Sequence, residues 1–165
     1  MKQASEIFGL RWSDFDWLRS EVFIQQAVVE GYVGETKSQS SNARVPIHPE
    51  IAAALLAWRQ VSPYNNDGDF VFASPVKLGE KPLWSGQVQT DVISPAAVAA
   101  GLPPLGWHAF RHSYRSWLGE MGTGPEVQKN LMRHSTIAMS LDGYGKGVPA
   151  ANREANLQLV NALLQ

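Results

Sequence analysis

The side chains best suited to chemistry lie in one stretch, from Trp107 to Tyr144. It holds three of the four histidines in the chain, which are His108, His112 and His134. Its basic residues are Arg111, Arg115, Lys129 and Arg133. A guanidinium group matches two phosphate oxygens, and an imidazole exchanges protons near neutral pH. This combination indicates a site that handles phosphate.

His108 and Arg111 are three residues apart and are therefore neighbours on a helix. Such a pair can hold a phosphate and move a proton, but it can equally be a His and an Arg that only solvate a helix face. His112, four residues after His108, raises the alternative of a zinc site. No Glu follows His108 and no third ligand is evident, so we expect no metal.

His134 and Tyr144 lie further along the same stretch. His134 follows Arg133 in a loop between two predicted helices, where a helix start can present it to an anion. A capping or packing histidine is the alternative. Tyr144 lies between Gly143 and Gly145, which gives it more freedom than a core tyrosine has. A half-buried aromatic residue at a helix end is the alternative for Tyr144.

A helix over about 107–120 must position the first two of these residues. At about 100° per residue, one apolar stripe runs along it. Its members are Trp107, Phe110, Tyr114, Trp117 and Leu118. A second, basic stripe consists of His108, Arg111, His112 and Arg115. The pattern predicts that one face anchors the helix while the other presents cations at the edge of the core.

The rest of the chain predicts an α+β protein that is mostly helical. Residues 3–11 read as the end of an amphipathic helix, and residues 12–47 as a small antiparallel sheet with Lys37 in or beside a hairpin. Because Pro46 cannot donate to a central ladder, the last strand should be an edge strand. A helix over 84–100 should break near Pro95. A final helix over about 150–164 should turn Leu157, Val160, Leu163 and Leu164 inward.

Composition sets outer limits on the function. The 165 residues fit one domain, with 44% hydrophobic and 18% charged residues. No apolar run is long enough for a membrane span, and the first residues do not resemble a signal peptide. The lack of cysteine fits the cytoplasm. A net charge of −1 argues mildly against nucleic acid, although phosphate contacts depend on a local patch rather than on the total.

Taken together, the motifs resemble the catalytic domain of the tyrosine recombinase (phage integrase) family. The matching segments near the site are His108–Ser113, Leu131–Ser135 and Tyr144. Upstream, Ser5–Asp16 is similar to the first conserved box of the family and the strand after it. Thr36–Ser38 and Arg44–Ile47 are similar to the hairpin lysine of the family and its closing strand. The order and spacing agree across nearly the whole chain.

This resemblance implies the fold and a mechanism without metal or cofactor. The implied fold is the mostly helical recombinase catalytic domain with a three-stranded antiparallel sheet near the N-terminus. Tyr144 would attack a DNA phosphate and form a 3′-phosphotyrosine, and Arg111 would hold the phosphate oxygens. His108 and His134 would donate hydrogen bonds or move protons, and Lys37 would protonate the leaving oxygen. The residues expected to contact DNA are Arg115, His112, Arg133, Lys129 and Arg44.

The same resemblance implies double-stranded DNA as the partner and assembly with further copies of the chain. The family forms tetramers on DNA, and the C-terminal helix is a possible contact between protomers. We expect residues 1–165 to form one catalytic domain without the family's N-terminal DNA-binding domain and first catalytic-domain helix.

One position departs from the family's pattern. The first box carries an arginine three residues before Glu6, and here Gln3 stands in that place. Half of the arginine clamp is then missing, so we expect impaired cleavage. A non-catalytic DNA-binding remnant is the alternative function, and a type IB topoisomerase is a third option within the same chemistry.

Overall fold

A computed structural model of the chain describes residues 2–29, 32–35, 43–132 and 150–164. Helix α1 (Lys2–Gly9) comes first and buries Phe8. Strands β1 (Phe15–Asp16), β2 (Glu21–Ile24) and β5 (Ala43–Pro46) form a three-stranded antiparallel sheet in the order β1-β2-β5. This confirms the predicted sheet and places Pro46 on an edge strand. Strands β3 (Gln26–Val29) and β4 (Tyr32–Glu35) pair separately as two antiparallel strands.

A hydrophobic core joins the sheet to the segment that follows helix α2 (Pro49–Val61). Its buried members are Trp12, Phe15, Val22 and Val71. The Trp12 indole nitrogen donates to the carbonyl of Tyr64 at 2.9 Å, so the largest of these side chains leaves no polar atom unsatisfied. This core holds the first half of the chain together.

The helix predicted over 84–100 does not break at Pro95, so that prediction was wrong. Helix α3 (Ser85–Val88) runs into a π-helical turn (Gln89–Ile93) and then into α4 (Ser94–Ala99), with helical dihedral angles at both junctions. Proline has no N–H, and its ring clashes with the carbonyl four residues earlier. A wider π turn before Pro95 accommodates the ring without ending the helix.

The last helices are α5 (Trp107–Glu120), α6 (Pro125–Met132) and α7 (Ala150–Leu164). They pack around Leu118 and Leu159, which are 0% and 1% exposed. The final helix was predicted, but the residue that it buries most completely was not. Leu157 and Val160 are only partly buried, whereas Leu159 is inside the core. Leu163 and Leu164 have side chains outside the described part of the chain.

Polar contacts also tie α7 to its own chain. The Arg153 guanidinium donates to the Glu21 carboxylate on β2 at 2.8 Å. The His48 ring nitrogen Nε2 lies 2.9 Å from the Asn161 side-chain oxygen. Because Glu21 and His48 are both buried, these contacts compensate polar groups that have left water. The helix that was considered as a protomer contact therefore packs in cis in this structure.

The apolar stripe predicted on α5 is only partly correct. Leu118 is buried, and Trp107 and Tyr114 are partly buried. Phe110 and Trp117 are 51% and 38% exposed, so their predicted inward placement was wrong. Helices α6 and α7 pack against the side of α5 that contains Leu118. The area that they cover is narrower than the predicted apolar stripe. No helix among the residues described here is both long and apolar enough to cross a membrane.

Candidate active site

The start of α5 is anchored by Trp107, one residue before His108. The Trp107 indole nitrogen donates to the carbonyl of Ser85 at 2.9 Å. Its ring meets Phe8 edge-on, with 5.5 Å between the ring centroids. The first turn of α5 is therefore held against both α1 and α3, which fixes where the following residues point.

Arg111 occupies the boundary between the core and the solvent. It is partly buried, and its Nη2 atom donates to the carbonyl of Met132 at 2.8 Å. Met132 is the last described residue of α6 and directly precedes Arg133 in the chain. One of the predicted motif segments is thus joined to the beginning of the next by a hydrogen bond.

His108, His112 and Arg115 share the exposed side of α5. The rings of His108 and His112 are 6.3 Å apart between centroids. Together with Arg111 they form a surface of imidazole and guanidinium groups along two turns of one helix. Such a surface can hold a phosphate through charge-assisted hydrogen bonds and can exchange protons with it.

The other predicted site residues are placed less completely. Lys37, Arg133, His134 and Tyr144 lie outside the described residues. Lys129 belongs to α6, but its side chain also lies outside the described part.

Arg44 lies on β5, with its side chain 40% exposed. It forms an ion pair with Glu21 at 3.6 Å, and its guanidinium stands 5.6 Å from the centre of the Phe23 ring. The structure therefore shows Arg44 in contact with the sheet and with the carboxylate that holds α7.

Comparison with known proteins identifies the family of the chain that carries this surface. The model of the phage integrase family matches residues 3–146. The chain belongs to the phage integrase family. The matched range contains every residue that was predicted to act in catalysis.

Two curated relatives are similar along most of the chain. A tyrosine recombinase XerC-like protein from Caldanaerobacter subterraneus subsp. tengcongensis is 24% identical over 175 residues, covering 93% of this chain and 44% of that protein. The ICEBs1 integrase of Bacillus subtilis (strain 168) is 21% identical over 164 residues, covering 92% and 43% respectively. The chain thus spans less than half the length of these relatives.

Solved structures with the same fold include the Tn1549 transposon integrase (residues 82–397) in complex with circular intermediate DNA. It superposes with a TM-score of 0.63 at 22% identity, over 94% of this chain and 55% of that one. A variant of that integrase in complex with transposon right end DNA gives a TM-score of 0.64 at 21% identity, over 96% and 55%. These likenesses confirm the recombinase catalytic-domain fold.

The carbonyl of Met132 is a partner that sequence reasoning missed. Arg111 supplies both a donor and a positive charge to this carbonyl from the neighbouring helix. The signal available in the sequence was that α6 should end just before Arg133, but nothing in the sequence chose which arginine would reach it.

Tyr114 packs into the core that α5 shares with α6 and α7. It packs against Leu118 and Leu159, and burial raises its pKa from 10.0 to about 12. Its phenol therefore stays neutral at physiological pH. Tyr114 serves the core, which agrees with its predicted place on the apolar stripe.

Among the residues described, no three His, Asp or Glu side chains come together in a way that could hold a metal ion.

Proposed function

We propose that this chain is the catalytic domain of a site-specific recombinase that cleaves and rejoins DNA strands through a 3′-phosphotyrosine. The observation that carries the proposal is the placement of Arg111 in a member of this family. Its guanidinium is held against Met132 at the end of α6, while His108 lies exposed one turn earlier on α5. A fixed arginine beside an accessible imidazole is suited to a phosphodiester.

The role of Arg111 is to stabilise the charge that builds on the non-bridging oxygens in the transition state. The bond to Met132 keeps one side of the guanidinium fork fixed, so less side-chain entropy is lost when phosphate binds. His108 donates a hydrogen bond to the phosphate or carries a proton. Because the Arg111 guanidinium is held in place before phosphate binds, it can stabilise the developing negative charge without a metal ion.

The bond changes follow from a phenol attacking a phosphodiester. The Tyr144 oxygen forms a bond to phosphorus as its proton passes to a nearby base, and the bond from phosphorus to the 5′-oxygen breaks. Lys37 gives the leaving 5′-oxygen its proton, and His134 donates a hydrogen bond to the phosphate. Attack by a 5′-hydroxyl reverses these steps, so the covalent intermediate conserves the bond and allows strand exchange without ATP.

Double-stranded DNA in the cytoplasm is the proposed partner. Arg115 and His112 extend the cationic surface on the exposed side of α5, and Arg133, Lys129 and Arg44 are proposed as further contacts. Contacts of this kind position the backbone and make binding weaken steeply with salt. A homo-oligomer on DNA, a tetramer in the full-length family, is part of the same proposal.

A second function is favoured by Gln3. A glutamine cannot reproduce the bidentate, charged contact of an arginine with phosphate. Its loss costs roughly 2.7–4 kcal/mol of transition-state stabilisation if it resembles the loss of an oxyanion-hole donor. The chain would then bind DNA through the same surface without cleaving it efficiently.

A nicked suicide DNA duplex distinguishes these functions, because the cleaved end diffuses away and traps the covalent complex. We expect slow adduct formation by the chain, faster formation by Gln3→Arg, and none by Tyr144→Phe. Arg111→Lys should lower the rate about 10²- to 10³-fold while DNA binding persists. DNA binding without any adduct, also in Gln3→Arg, would establish the second function. The absence of both binding and adduct would refute both.

A further inference from the structure

The helical segment from Ser85 to Ala99 makes three hydrogen bonds to Trp107, the first residue of α5, and to the loop before it. The carbonyl of Ser85 accepts from the Trp107 indole at 2.9 Å. The Gln89 side-chain oxygen accepts from the Trp107 backbone N–H at 3.3 Å. The Ser94 hydroxyl donates to the carbonyl of Leu105 at 2.9 Å. One face of this segment therefore holds both the loop before α5 and its first residue.

The π turn determines which residues share that face. Ser85 and Gln89 are four residues apart, as on an α-helix, but Gln89 and Ser94 are five apart, which is one π turn. In a continuous α-helix Ile93 would follow Gln89 on this face, and an isoleucine cannot bond to the carbonyl of Leu105. The turn that accommodates Pro95 thus also aligns these three contacts.

Gln89 supplies the side-chain acceptor that the N-cap residue of α5 lacks. Gly106 is the N-cap residue and has no side chain, so the first N–H groups of the helix need other partners. A Cβ atom at Gly106 would lie 3.3 Å from the Gln89 side-chain oxygen, so the glycine allows the close approach of the amide. The side-chain oxygen of Gln89 satisfies one of these N–H groups, the backbone N–H of Trp107.

We propose that Gln89 is a positioning residue that fixes the first turn of α5 and thereby the direction of His108 and Arg111 toward a DNA phosphate. His108 follows the capped residue directly, and Arg111 lies one turn later. A small rotation of this turn moves both groups away from the phosphate, and displacements of this size lower rates strongly. The inference rests on the proposed function.

The test compares Gln89→Met with Gln87→Met in the full chain. Methionine is close to glutamine in length but offers no comparable acceptor, and Gln87 is an exposed glutamine of the same helical segment. In Gln89→Met we expect the Trp107 amide to exchange with solvent about ten-fold faster and the His108 ring and Arg111 Nε–H resonances to shift. Gln87→Met should match the parent chain. Equal exchange and resonances in both variants would overturn the positioning role.

The effect of Gln89 on catalysis is measured as the rate of adduct formation on the suicide duplex at saturating DNA. Gln89→Met should form the covalent adduct about ten-fold more slowly, with the Kd for DNA and the Tm close to those of Gln87→Met. Gln89→Glu keeps a side-chain oxygen as acceptor, so its Trp107 amide should exchange as slowly as in the parent chain.

The two proposals fail in different ways. If the parent chain and Gln3→Arg form no adduct, the proposed function fails, and so does the proposed effect of Gln89 on cleavage. If the parent is active and Gln89→Met reacts at the parent rate, only the role of Gln89 is refuted.

Discussion

Replacement of Leu159 by alanine tests how α7 is held on the domain. Leu159 is 1% exposed and packs with Leu118, which is 0% exposed, while Tyr114, Val127 and Leu131 surround the pair. The substitution removes most of the side chain from a site with helices on several sides. The surroundings can therefore collapse only partly into the space that is left.

The expected cost follows from this enclosure. A buried Leu→Ala substitution destabilises by roughly 2.7–5.0 kcal/mol, and we expect about 3 kcal/mol here. For a chain of this size that lowers the Tm by roughly 6–12 °C. Leu157 lies on the same helix and is only partly buried, so Leu157→Ala should cost about 1 kcal/mol.

Urea unfolding followed by circular dichroism measures both values, and it should be repeated over a range of protein concentrations. In cis packing, the difference between the variants does not depend on concentration. A midpoint that rises with concentration would mean that α7 binds another copy of the chain. Equal losses in Leu159→Ala and Leu157→Ala would refute the assignment of Leu159 to the core.

Two further predictions concern pH and backbone conformation. Because burial raises the Tyr114 pKa to about 12 whereas an exposed tyrosine titrates near 10.0, its contribution to stability is complete below pH 10 and is lost between pH 10 and 12. Tyr114→Phe should flatten this part of a plot of unfolding free energy against pH, and an unchanged slope would contradict the assignment. Gly79 has a φ of +81°, and an added Cβ would lie 2.3 Å from the Tyr64 ring, so Gly79→Ala should cost at least about 1–2 kcal/mol. Gly68→Ala, where the added Cβ meets nothing within 4 Å, is the matched control for thermal unfolding.

The sequence predicted elements well wherever a local pattern repeats. Helix α5 was predicted over about 107–120 and is found at Trp107–Glu120, and α7 was predicted over about 150–164 and is found at Ala150–Leu164. Both have apolar residues at helical spacing, and each follows a helix-breaking residue, Gly106 and Pro149 respectively. Pro46 correctly marked an edge strand, because its missing N–H is a local property.

Residues that face the core were predicted less well, because burial depends on neighbouring elements. The apolar spacing of α5 contains Phe110 and Trp117, but α6 and α7 cover only the side that contains Leu118. On α7, Leu159 is buried instead of Leu157 for the same reason. Periodicity predicts the direction of an apolar face to within about one residue. Which residue of that face becomes most buried depends on the helix that packs against it.

The cations of the candidate site could be proposed from residue type alone, whereas the groups that hold them in place could not. The bond from Arg111 to Met132 uses a backbone carbonyl, which every residue has. Gln89 is a polar residue 18 positions before Trp107, and no spacing rule connects them. Contacts of this kind depend on how helices pack, so a single sequence carries little signal for them.

The packing of α5 against α6 also connects the hydrophobic core to Arg111 of the candidate site. Arg111 precedes the fully buried Leu118 by seven residues, or two helical turns, and so lies on nearly the same side of α5. Val127 and Leu131 of α6 pack against the cluster of Leu118, and the α6 carbonyl that Arg111 binds belongs to the next residue, Met132. Apolar side chains therefore set the distance between α5 and α6, and the hydrogen bond from Arg111 to Met132 depends on that distance. A cavity in this cluster should displace Arg111 from its carbonyl, so core substitutions should slow the proposed DNA cleavage, measured as adduct formation on the suicide duplex, even at temperatures where the domain remains folded.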